Sequence, residues 1–106
     1  MRDIKFKINQ PQKGEKLVRI YLGGDLSVNN LDELLPKIRA IEKDYSEMEV
    51  NINDVSVFDI ASIQLLVSLQ KSAERHKKIL KFKIDLPKDI MEILENTGLL
   101  KILKKL

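Results

Sequence analysis

The chain contains no cysteine and no tryptophan. Without cysteine there is no disulfide and no thiolate metal site, so a reducing compartment is permitted and stability must come from an apolar core. Aromatic residues are limited to three Phe and two Tyr, which leaves few platforms for stacking the bases of single-stranded nucleic acid. The lone histidine, His76, lacks a second His or Cys with which to hold a metal. Beside Arg75 and Lys77 it reads as a surface residue at a helix end and not as a catalytic base. No apolar run approaches the ~18 residues of a bilayer span. Met1-Arg2-Asp3-Ile4-Lys5-Phe6 has charges threaded through it and lacks the apolar stretch and small-residue cleavage site of a secretory signal. A cytoplasmic location with no direct membrane insertion is the expectation.

What is present suits one domain over residues 1–106. Hydrophobic residues make up 43% and charged residues 33%, enough for one core under a solvated surface. The net charge of +3 comes from 19 Lys and Arg set against 16 acids. Because acids are interleaved among the bases, the lysines read as solvated surface, and no nucleic-acid partner is expected.

Ile4, Phe6 and Ile8 alternate with Lys5 and Lys7, the period of a half-buried strand. A polar loop through Pro11 and Gly14 leads to a second strand over 17–22, which predicts a hairpin ended by Gly23-Gly24. Asp25 to Asn30 is turn-rich, with Asn29 or Asn30 as the expected helix cap. Leu31, Leu34, Leu35, Ile38 and Ile41 then fall at helical spacing, with Pro36 predicting a late start or a bend. A third strand is expected over 48–53, a short connection over 55–58, and a helix from after Asp59 to about His76. A fourth strand follows over 79–84. Pro87 opens a further helix as its first residue, Gly98 stops it, and an amphipathic terminal helix carries Leu99 to Leu106. The order β-β-α-β-α-β-α-α predicts an α/β fold: a mixed sheet of about four strands, with parallel neighbours from the β-α-β units and helices packed on it.

Motifs for chemistry are sparse. Gly23-Gly24-Asp25 has the spacing of neither common phosphate-binding glycine loop. None of the serines sits in a Ser-x-Gly nucleophile elbow. Asp54 and Asp59 are a conceivable carboxylate pair, although Asp59 is accounted for as a helix N-cap. No catalytic residue, cofactor or metal is therefore expected. The lysine-rich terminal helix reads first as packing on its own domain and second as a membrane-surface element.

The stretch from Val50 through Asn53, Asp54, Phe58, Asp59, Ile60, Ala61, Ser62, Ile63 and Gln64 to Leu66 resembles the signature of STAS domains, which include the bacterial anti-sigma factor antagonists. Gly24-Asp25-Leu26-Ser27 resembles the family's turn after the second strand, and Thr97-Gly98-Leu99-Leu100 its late Gly-Leu turn. The resemblance spans about Ile4 to Leu103. It implies a non-enzymatic module, a monomer or weak homodimer, that binds an anti-sigma kinase-like protein in signal transduction controlling transcription. The alternative it admits is a subunit docking on the ATPase of a lipid-transport ABC complex, or a chemotaxis-type signalling protein. In regulated antagonists the second helix begins Asp-Ser-Ser-Gly or Asp-Thr-Ala-Gly and a hydroxyl there is phosphorylated. Here Asp59 matches, Ile60 and Ala61 replace the hydroxyl residues, and Ser62 is the nearest candidate acceptor, one position late. The resemblance places partner contacts at Ser27, Val28, Asn29, Ser56, Phe58, Asp59, Ile60, Ala61, Ser62 and Gln64.

Overall fold

The two alternating segments that begin the chain form β1 (Ile4–Asn9) and β2 (Leu17–Asp25). They pair antiparallel, from Ile4 opposite Gly24 to Asn9 opposite Arg19. The computed structural model describes residues 3–106, so Met1 and Arg2, where the reading for a secretory signal begins, lie outside the described residues. After β2 come α1 (Val28–Asp44), β3 (Glu47–Val57), α2 (Ile60–Arg75), β4 (Ile79–Ile84), α3 (Lys88–Asn96) and α4 (Leu100–Lys104). The four strands lie in the order β1-β2-β3-β4, and β2-β3 and β3-β4 are parallel. The protein is thus α/β with a mixed sheet, as the alternation of strands and helices predicts.

Alternation along the strands sorts the sheet into two faces. Val18, Ile20 and Leu22 of β2 and Met48, Val50 and Ile52 of β3 are buried. They join Leu34 and Ile38 of α1, Leu66 and Leu69 of α2 and Leu94 of α3 in one apolar cluster. Burial of each such side chain contributes about 1.5–3 kcal/mol, which is why the central strands are the most apolar. The intervening residues are polar. Glu49 is buried among them because Arg19 Nε at 3.6 Å and Lys83 Nζ at 3.5 Å close over its carboxylate.

β2 runs through Gly23-Gly24 to Asp25 instead of ending at the glycines, and the structure departs from the sequence pattern at four further points. The first is β3, which does not stop near Asn53. Asp54 takes φ 51°, the left-handed region that Asp tolerates, and the strand continues with Val55 opposite Gly24 and Val57 opposite Asp25 after a register shift. Gly24 itself has φ 74°, and a Cβ there would collide with the Asp3 carbonyl oxygen. Second, α1 runs unbroken through Pro36. The buried stripe Leu31, Leu34, Ile38 and Ile41 holds the helix together across the hydrogen bond that proline cannot make. Third, its N-cap is Ser27 and not an asparagine. Asn30 Nδ2 instead donates to the Asp25 carbonyl at 2.8 Å. Fourth, Pro87 is the cap residue of α3 and not its first helical residue. Gly98, at φ 80°, follows the Thr97 cap as the glycine stop predicts. No helix among the described residues is long and apolar enough to cross a membrane.

Candidate functional site

The start of α2 is fixed by a reciprocal pair of hydrogen bonds. The Ser62 amide donates to Asp59 Oδ1 at 3.2 Å, and the Asp59 amide donates to Ser62 Oγ at 3.1 Å. This capping box satisfies two amides that a helix start leaves without partners. The Ser62 hydroxyl also donates to the Leu26 carbonyl at 2.6 Å, which ties α2 to the β2–α1 connection. That connection is held in turn by its own bonds. The Leu26 amide donates to the Val57 carbonyl at 3.0 Å, and the Ser27 amide to Asp25 Oδ1 at 2.9 Å. The hydroxyl and then the amide of Ser27 hold the Asp25 carboxyl below the usual aspartate range, since both bonds favour its charged form.

Around this anchor the predicted contact residues divide. Ile60 is 54% exposed and Val28 52% exposed. Asn29, Ser56 and Gln64 are exposed as well, and Ser27, Asp59 and Ala61 are half-buried. Val28, Ala61 and Gln64 line a depression of about 240 Å³ between α1 and α2. Two expectations are corrected. Phe58 is buried in the core cluster, where its large apolar ring gains most by leaving water, so it offers almost no contact surface. Ser62 is only 2% exposed and its hydroxyl is already both donor and acceptor. A phosphate there would break the bond to Leu26 and put nearly two negative charges into a buried site.

Asp54 and Asp59 do not form a pair. Asp54 lies in a depression at the end of the sheet with Asp3 and Asp25, whereas Asp59 is spent on the capping box. No group of three or more His, Asp or Glu among the described residues is placed to hold a metal ion.

Sequence reasoning missed one polar cluster. Glu42 of α1 is 5% exposed. The Ser72 hydroxyl of α2 lies 2.8 Å from its Oε1 and 3.0 Å from its Oε2, and His76 Nδ1 lies 3.2 Å from Oε1. The Ser72 hydroxyl therefore donates to the Glu42 carboxylate and lies 3.5 Å from His76 Nδ1, and these contacts tie α2 to α1. Lys78 Nζ donates to the carbonyls of Glu42 and Tyr45, at 2.7 and 3.0 Å, and so caps the C-terminus of α1. The available signal was positional. Glu42 falls four residues after Ile38 on the buried stripe, and Ser72 and His76 are four apart on α2.

On its other side α2 borders a groove of about 490 Å³, walled by Ile60 and Val67 of α2 and by Leu99 and Ile102, with Ile63 beneath. Lys71 and Arg75 line its far end. Compared with known proteins, the chain matches no protein-family model and no curated protein.

Proposed function

We propose that the chain is a non-enzymatic, cytoplasmic regulatory module of the STAS type, related in action to anti-sigma factor antagonists, which binds an anti-sigma kinase-like protein through the start of α2. The observation that carries the reading is the pair Val28 and Ile60. Both are large, apolar and more than half exposed, and they flank a helix start whose backbone is held by the Asp59–Ser62 box. Exposed apolar side chains on rigid, already capped backbone are the kind of anchor that supplies most of an interface's affinity. The order of the STAS-like motifs and the mixed sheet support the same reading.

One observation favours a second setting. Ile60 and Ala61 carry no hydroxyl, and that of Ser62 is buried. Docking without a phosphorylation switch suits a constitutive subunit on the ATPase of a lipid-transport ABC complex.

Affinity purification of the tagged chain from its native cell, with Val28→Asp and Ile60→Asp in parallel, tests the docking surface. Both variants are expected to keep the wild-type circular dichroism spectrum and to lose the partner. Undiminished recovery of the same partner by both would remove this surface from the reading. Whether the partner is a kinase-like protein or a transport ATPase decides between the two settings.

A further inference from the structure

We infer that the groove between α2 and α4 receives an amphipathic helix of the partner whose apolar stripe ends in acidic residues; the inference rests on the docking role proposed for α2. Ile60, Gln64, Val67, Lys71 and Arg75 follow one another at intervals of three or four residues, so they form one stripe along α2. Ile60 and Val67 are the apolar members of its first half, with the polar Gln64 between them, and the apolar surface continues across the groove through Leu99 and Ile102, itself 43% exposed. Its second half is basic. No carboxylate lines the groove, and no ion pair is made by Lys71 or Arg75 among the described residues. Arg75 lies in the last turn of α2, where a cation complements the helix dipole, but Lys71 lies before that turn. The dipole therefore leaves Lys71 unexplained, whereas an acidic partner explains both.

The shape selects a helix over a small molecule. The groove is open along one side of α2, a helix of 16 residues and hence about 24 Å long. An enclosed site would bury most of a small ligand, whereas an open apolar trough beside a helix is the setting for a second helix read through side chains three and four apart.

The test titrates the isotope-labelled full chain, followed by amide NMR, with two synthetic helical peptides. Both carry leucines at the helical spacing of three and four; one has glutamates clustered at one end, the other lysines in their place. The glutamate peptide should shift the amides of Val67, Lys71 and Ile102 and bind at least about tenfold more tightly than the lysine peptide. Lys71→Glu with Arg75→Glu should reverse that preference, and Ile102→Asp should abolish binding of both peptides. Lys5→Glu with Lys7→Glu makes the same change in net charge on β1 and should leave the preference intact. Equal binding of the two peptides, binding of neither, or shifts confined to the sheet would overturn the inference. So would adsorption to phosphatidylserine-containing vesicles that Ile102→Asp abolishes, since that would assign the groove to a lipid surface.

The outcome separates from that of the docking surface. Val28 lines the depression between α1 and α2 and does not line the groove, although Gln64 and Ser68 border both. Loss of the native partner by Val28→Asp, together with failure of both peptides, defeats the groove alone. Selective peptide binding, with partner capture unaffected by Val28→Asp and Ile60→Asp, defeats the docking tip alone.

Discussion

Leu26 and Ser62 lie 36 positions apart and are joined by a hydrogen bond of 2.6 Å from the serine hydroxyl to the leucine carbonyl. The same oxygen accepts the Asp59 amide. One small side chain thus closes the start of α2 and fastens it to the end of β2.

Replacing that side chain measures its contribution. Ser62→Ala leaves the Leu26 carbonyl and the Asp59 amide without these partners, and the expected loss is about 1–3 kcal/mol in urea denaturation. Ser62→Asp, which forces a carboxylate into the same buried place, should lose more. A Ser62→Asp variant as stable as the wild type would show that the position opens freely to solvent.

The bond between α1 and α2 through Ser72 and Glu42 should behave as a coupled pair. Ser72→Ala removes a donor from a buried carboxylate and is expected to cost roughly 1.5–3 kcal/mol. In a double-mutant cycle with Glu42→Gln the two effects should fall short of additivity. Strict additivity would mean that the contact contributes nothing.

Pro36 is exposed and interior to α1. Pro36→Ala restores an amide that can bond back to the Asp32 carbonyl, and it should raise stability by about 1–3 kcal/mol. Unchanged or reduced stability would indicate that the helix does not close around this position.

Asp25 gives a pH dependence. Its folded-state pKa is lowered by the bonds from Ser27. A lowered carboxylate stabilises the fold above its unfolded pKa, and that contribution disappears as pH falls through the folded value. The Asp25 carboxyl should therefore titrate below the ordinary aspartate range in side-chain NMR, and Ser27→Ala should bring the midpoint up. An Asp25 midpoint that Ser27→Ala does not move would assign the shift to another cause.

Much of the fold was legible because apolar periodicity is a local signal. The alternation at Ile4, Phe6 and Ile8 and the stripe from Leu65 to Leu69 needed no knowledge of their neighbours to be read as strand and helix. What escaped depended on partners distant in the chain. The second half of β3 exists because Gly24 and Asp25 of β2 supply its pairing, and nothing in Asp54-Val55-Ser56-Val57 announces that. Asn30 had the chemistry of a cap, but its amide found the Asp25 carbonyl instead. At the candidate site the capping Asp59 was readable from its place before the helix, whereas Ile60 came from the resemblance and its exposure from the structure. The burial of Ser62 was legible too, since it lies on one helical stripe with Leu65, Leu66 and Leu69, whereas its bond to Leu26 and the burial of Phe58 were not.

The reciprocal bonds at Asp59 and Ser62 have a kinetic corollary. Under the docking role proposed for α2, a recognition element already in its final shape loses little freedom when it meets its target. Encounter should then be limited by diffusion and orientation and not by folding of the tip. Complex formation should follow simple second-order kinetics, with a heat-capacity change that reflects only the apolar area covered at contact.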